Sequence, residues 1–385
     1  MRGVETVTQR ICFWVMLVIF CASAAHGQNV LRLVQTIPMA DVEGRIDHFG
    51  IDLQGHRLFM SALGNNTLEV FDLRANERIH TVHGLREPQG VVYVAESRRI
   101  YVANGGDGAC RVFVGDTYKL LQVIRFASDA DNVRYDATAH QVLVGYGEGA
   151  IGILDAGTRK LLGTIRLDAH PESFQMETSG RRIFVNLPSA GHGIAVVDRA
   201  RRKVIAQWKL EAAGDNFPMA LDEPDHRLFV VCRRPAEMIA LDTATGKVVA
   251  RIPCVGDADD VWYDAGRRRI YISGGEGFIS VIQQRDPNHY VSIARIETAP
   301  GARTSFFAPQ LDRLYLAVPR HASRPAELRV YEVQSTAALL ERPRIQRRSM
   351  INVETAGSLL DGEVGAWPRW RESLTALPLN YDQRP

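Results

Sequence analysis

One short pattern recurs seven times along this chain: HRLFMS, RRIYVA, HQVLVG, RRIFVN, HRLFVV, RRIYIS and DRLYLA. In each copy a polar pair is followed by aliphatic residues, joined by an aromatic one in six of the seven, the composition that suits a pleated strand. The first aliphatic residues are Leu58, Ile100, Val142, Ile183, Leu228, Ile270 and Leu314, separated by 42, 42, 41, 45, 42 and 44 residues. No amphipathic helix is written between them. A period in the low forties built of short strands is the signature of a β-propeller in which each repeat is one four-stranded blade. The fold class is therefore all-β, a seven-bladed β-propeller.

The rest of each repeat fits that frame. A first strand ends in aspartate, as in GID (50–52), VRYD (133–136), MALD (219–222) and VWYD (261–264), and turns into the recurring second strand. A third strand, such as AVVD (195–198) or IALD (239–242), leads to turns of the DxxTGK kind at 155–160 and 242–247, where Asp and Gly supply tight-turn chemistry. A fourth strand follows, as in KLLGTIRL (160–167) or KVVARIPC (247–254). The seventh repeat stops after its third strand, LRVYEV at 328–333, whereas RLVQTIPM at 32–39 is a fourth strand standing alone. The N-terminal strand is expected to complete the last blade, closing the ring and removing two exposed sheet edges.

With RIYVA-type second strands and DxxTGK turns, residues 30–333 resemble the YVTN-type β-propellers, often called YncE-like. That resemblance implies a fold rather than a chemistry. Exported propellers of this superfamily include binding and scaffold proteins as well as enzymes, and similar rings occur in the heavy subunit of quinoprotein amine dehydrogenases and in lactonases. Function has to be argued from the site.

Outside the repeats, Arg2 and Arg10 precede an apolar run at 11–22 and small residues at 22–25, the pattern of a secretory signal. The run is short for a membrane span, which needs roughly 20 apolar residues. Residues 1–27 are read as a leader, the mature chain as periplasmic or secreted without a membrane span, and residues 334–385 as a partly ordered extension. A net charge of +2 removes the electrostatic reason to expect nucleic acid as a partner. Cys110, Cys232 and Cys254 form no CxxC or CxxCH, so no covalent haem is expected, and a strand is expected to lie between Cys232 and Cys254. The chain is expected to be a monomer.

In a propeller, the loops entering the inner strands converge on one mouth of the central channel. Ten to eleven residues before each aliphatic anchor, the blades differ although their frames repeat. These approaches carry His48, Gln89, Asp131, Asn132, Glu172, Asp259, Asp260 and Arg303, with His170 and Asn216 close by. The segment HPESF at 170–174 raises the question most sharply, because it sets a histidine and a carboxylate just ahead of a strand.

Three roles fit such groups: a wet polar lining, a small-molecule or protein ligand site, or a site for a divalent cation held by carboxylate and amide oxygens, with histidine admitting a transition metal. Arg233, Arg234 and Arg320, in loops expected on the same side, are candidates to join Arg303 around an anion. No GxSxG or HExxH motif is present. The functional expectation is an exported ligand- or protein-binding scaffold using the channel mouth. The alternative is a metal-assisted hydrolase or lactonase-like enzyme at the same mouth, with His48 or His170 as base; a redox partner subunit with a noncovalent cofactor is a third.

Overall fold

The computed structural model describes residues 30–191 and 193–334. The proposed leader, and the C-terminal extension beyond Gln334, lie outside the described residues. Twenty-eight strands, numbered in chain order, form seven four-stranded antiparallel sheets. The innermost strands are β2 (Phe49–Asp52), β6 (Pro88–Val94), β10 (Ala130–Asp136), β14 (Phe174–Met176), β18 (Gly214–Asp222), β22 (Ala258–Asp264) and β26 (Ser305–Ala308). Each pairs with a second strand carrying the repeated pattern: β3 (Arg57–Ala62), β7 (Arg99–Asn104), β11 (Gln141–Tyr146), β15 (Arg182–Leu187), β19 (Arg227–Arg234), β23 (Arg269–Gly274) and β27 (Arg313–Val318). β26 lies against β2, so the inner strands come back on themselves as a ring.

Six sheets use strands consecutive in sequence. The seventh orders β1 (Leu31–Met39), β28 (Ala326–Val333), β27 and β26, so the N-terminal strand completes the last blade. Its register runs from Leu31 opposite Val333 to Met39 opposite Ala326. Leu31, Ile37 and Met39 are buried at the two ends of the strand, while residues 32–36 are exposed, as suits the outermost strand of a blade.

The aliphatic anchors Leu58, Ile100, Val142, Ile183, Leu228, Ile270 and Leu314 are all fully buried. They pack between blades rather than within one: Ile270 and Ile272 of the sixth blade share a cluster with Phe229, Val231 and Met238 of the fifth. Burying each such side chain contributes roughly 1.5–3 kcal/mol.

The arginine just before the anchor has its own task. Arg227 Nε donates to Pro287 O at 2.7 Å, Arg99 Nη1 to Gly157 O at 2.5 Å, and Arg269 Nη1 to Gln334 O at 2.6 Å. Arg57 and Arg182 reach Gly115 O and Thr243 O in the same way. In four of these five cases the guanidinium crosses to a turn of the following blade, and Arg269 crosses to the residue just after β28, so in these blades the arginine binds one blade to the next; Arg313 of the seventh instead bonds within its own blade. The aspartates ending the inner strands hold the intervening turns, as where Asp52 Oδ1 accepts the Gly55 N–H at 2.9 Å. Cys110, Cys232 and Cys254 are free thiols, and the strand at Ala236–Asp242 separates Cys232 from Cys254 as expected. Burial pushes each thiol up to about 12, which removes thiolate chemistry at neutral pH.

Candidate functional site

All seven blades deliver a side chain to one cavity of about 240 Å³ at the channel mouth. His48 comes from the first blade, Gln89 from the second, Asp131 and Asn132 from the third, and His170 and Glu172 from the fourth. Phe217 and Arg233 represent the fifth blade, Asp259 the sixth and Arg303 the seventh. The mouth expected from the repeat offset is therefore one physical site, to which Arg45, Asp129 and Ser173 also contribute.

Two expected members are placed elsewhere. Asn216 is 2% exposed and outside the cavity lining. Its Nδ2 donates to Asn186 Oδ1 at 3.0 Å and Gly193 O at 2.7 Å, which ties the fourth blade to the fifth. Asp260 lies one layer deeper, accepting the Ser305 N–H at 2.8 Å with Oδ1 3.6 Å from His48 Nδ1, so it supports the mouth from beneath. Arg234 is spent on Asp215 at 2.7 Å and Arg320 on Ala40 O, and neither lines the mouth cavity.

The backbone explains how adjacent residues both reach the mouth. In a regular strand successive side chains face opposite ways, yet the inner strands carry bulges at their mouth ends. Three steps on β10 from Ala130 to Val133 oppose two on β11, and like shifts occur between Pro88 and Val91, Asn216 and Met219, and Ala258 and Asp260. The extra residue allows both Asp131 and Asn132 to line the cavity. In the second blade the neighbouring position is Gly90, where a Cβ would stand 2.4 Å from Asp131 O. Only glycine lets β6 approach β10 so closely.

Charge is sorted around the mouth. On the fifth to seventh blades, Arg233 meets Asp259 at 2.7 Å and Asp257 at 3.3 Å, and Arg303 meets the same two carboxylates at 3.2 and 3.0 Å. The Arg233 guanidinium also lies over the Phe217 ring at 4.1 Å. On the third and fourth blades, His170 Nε2 stands 3.6 Å from Asp131 Oδ2 and its Nδ1 is 2.6 Å from Gly147 O. Burial works against a charged His170 ring, but Asp131 and Gly147 outweigh it and raise its pKa to about 9. His48 is raised to about 10 in the same sense, burial being overcome by Asp47 and Asp260. Both rings are cationic at neutral pH.

One carboxyl at this site lacks an ion pair. Asn132, 2% exposed, has its amide 3.5 Å from His48 Nε2, and a cationic His48 ring, which can only donate, takes the amide oxygen as its acceptor. Glu172 anchors its backbone by donating its N–H to Asn186 O at 3.1 Å, but its carboxyl has no ion pair among the described residues. Burial, and then the charge of Asp131, push that carboxyl up to about 7. The Glu172 carboxyl can accept a proton donor from a ligand and can exchange a proton near neutral pH. Among the described residues no three His, Cys, Asp or Glu side chains are grouped to hold a metal ion. The donors here are instead interleaved with arginines and with histidines that face Asp131 and Asp260.

Comparison with known proteins agrees on the architecture. No protein-family model matches the chain. The protein named as uncharacterized protein YncE in Salmonella typhi is 24% identical over 231 residues, 58% of this chain and 64% of that protein. The YncE of Escherichia coli K12 is 25% identical over 142 residues, 36% of this chain and 40% of its own length. The chain thus spans less than two thirds of the length of the relatives it matches. Among solved structures, a chain of Kuenenia stuttgartiensis hydrazine synthase superposes with a TM-score of 0.64 at 15% identity, covering 72% of this chain and 94% of that one. A chain of the mitotic checkpoint complex gives 0.67 at 11% identity, with 81% and 94% covered. At such identities these two likenesses concern fold alone. The described helices include none long and apolar enough to cross a membrane. The chain is a seven-bladed β-propeller that is similar in sequence to these YncE proteins.

Proposed function

We propose that this propeller is an exported binding protein that takes a small zwitterion, such as an α-amino acid or a like ammonium carboxylate, at the mouth of its central channel. A propeller fold suits a binding or scaffold role, since one rigid ring presents loops from every blade to a single opening. The observation that carries the ligand class is the division of the mouth into an arginine sector and a sector holding the Glu172 carboxyl, which has no ion pair among the described residues. Arg233 and Arg303 offer fork-shaped donors for a carboxylate, which would compete with Asp257 and Asp259 for them. Glu172 offers an acceptor for an ammonium group, and Asp131 would share its carboxylate between that group and His170. A simple anion or cation would satisfy one sector and leave the other.

The test is ligand-observed magnetic resonance on the full chain with a panel of α-amino acids, their N-acetyl derivatives and their amides. Binding by the free amino acids that weakens in both derivatives supports the reading. Equal binding by all three forms, or none by any, overturns it. Hydrolysis at the same mouth is the second reading, and it has one observation in its favour: the Glu172 carboxyl is poised near 7, where an acid–base group works best. Turnover of a lactone panel that disappears in Glu172→Gln would select that reading over simple binding.

A further inference from the structure

Below the mouth the channel opens into a second cavity, of about 380 Å³, within the usual range of roughly 300–1,000 Å³ for small-molecule sites. Its character differs from that of the mouth. Phe49, Tyr93, Trp262 and Phe306 supply aromatic wall, and Arg134 of β10 is its one lining cation. Trp262 and Phe306 meet edge to face at 5.0 Å, and Phe49 lies 6.4 Å from Phe306. The indole N–H is already committed to Ser305 O at 3.2 Å, so these rings are fixed surfaces.

Arg134 is under-used. Its recorded hydrogen bond is to the adjacent carbonyl, Val133 O, at 3.0 Å, and its guanidinium lies 5.6 Å from the Phe174 ring. Among the described residues no carboxylate forms an ion pair with it. Asp260, the one acid lining this cavity, is turned to the Ser305 N–H and to His48. Burial disfavours the charged guanidinium, and only the more distant Asp260 and Asp131 oppose that. A fork-shaped donor against an apolar wall matches a planar carboxylate attached to a ring.

We propose that the channel below the mouth is a separate site for an aromatic monocarboxylate, its carboxylate on Arg134 and its ring against Trp262 and Phe306. The single guanidinium sets one negative charge, and the wall sets an aromatic body. This site does not depend on the mouth being a ligand site, and the two fail separately.

The experiment titrates the full chain with benzoate and with neutral benzamide, following tryptophan fluorescence and heat. Wild-type protein should bind benzoate at least tenfold more tightly than benzamide. Arg134→Gln should lose that preference, Arg134→Lys should keep only part of it, and Trp262→Phe should abolish the fluorescence change while binding heat persists. Arg201→Gln, at an exposed turn outside both cavities, should leave benzoate binding unchanged. Equal affinity for benzoate and benzamide in the wild type, which needs no variant to fold, would overturn the proposal. So would a benzoate affinity unaffected in a folded Arg134→Gln protein.

Discussion

Replacing Glu172 by glutamine should make this protein more stable above neutral pH, although it removes an ionisable group from the mouth cavity. The Glu172 carboxyl is partly buried, meets the charge of Asp131, and has no ion pair among the described residues; its pKa stands at about 7 against an ordinary 4.5. A folded-state pKa above the unfolded one means that the native protein holds the proton more tightly. The associated stability is full below about 4.5 and is lost as pH rises through about 7. Above that range the ionised carboxylate costs the fold up to roughly 3 kcal/mol, at about 1.4 kcal/mol for each pH unit between the two values. Partial exposure reduces this to about 1–3 kcal/mol. Glutamine keeps the shape and carries no charge. Urea unfolding of both proteins at pH 4.5 and pH 8, followed by circular dichroism, should give nearly equal midpoints at the lower pH and a higher midpoint for Glu172→Gln at the upper. A variant less stable at pH 8, or a difference unchanged between the two pH values, would refute the reasoning. Such a cost borne by the free protein is characteristic of a group kept for a ligand rather than for the fold.

Other outcomes test the frame that holds the site. Removing the strand Leu31–Met39 should unpair β28 and expose the edge of the last blade, with loss of cooperative unfolding or onset of aggregation in calorimetry and light scattering. Ile270→Ala should cost about 2–5 kcal/mol in urea unfolding, because the side chain is fully buried between the fifth and sixth blades. Gly90→Ala should destabilise by about 1–3 kcal/mol, since the new methyl would meet the Asp131 carbonyl and force β6 from β10. If that variant also shifts Asp131, any binding at the mouth should weaken with it.

The ring was legible in the chain because its frame is written in side chains that must be buried. A fully buried aliphatic anchor with an arginine before it appears in nearly every blade, since the anchor fills the gap between blades and the arginine ties it to the next one. Closure was legible for the same reason: the strand at Leu31–Met39 carries an outer-strand pattern with no partner nearby in sequence. At the mouth, the common offset points to His48, Gln89, Asp131, Asn132, Glu172, Asp259 and Arg303, which line the cavity together with the nearby His170. Asp260 at the offset and Asn216 close to it lie outside that lining, both next to bulges, where one extra residue redirects a side chain without leaving a mark in the local composition. Arg45 and Asp129 lie just before the offset and were passed over. Arg134 was invisible as a site residue, since an arginine within a strand reads as an outward-facing polar residue unless the facing blades are known.

The account rests most heavily on the mouth being a two-sector site, and calorimetric titration of amino acids into three proteins tests that directly. Asp131→Asn removes charge from the acceptor sector and Arg303→Gln from the donor sector, while the buried frame between blades is untouched. The wild-type protein should bind at least one α-amino acid, and each variant should lose tenfold or more in affinity while unfolding cooperatively like the parent. If no amino acid binds, or if both variants bind as the wild type does, the mouth is a solvated polar lining and the proposed function is wrong.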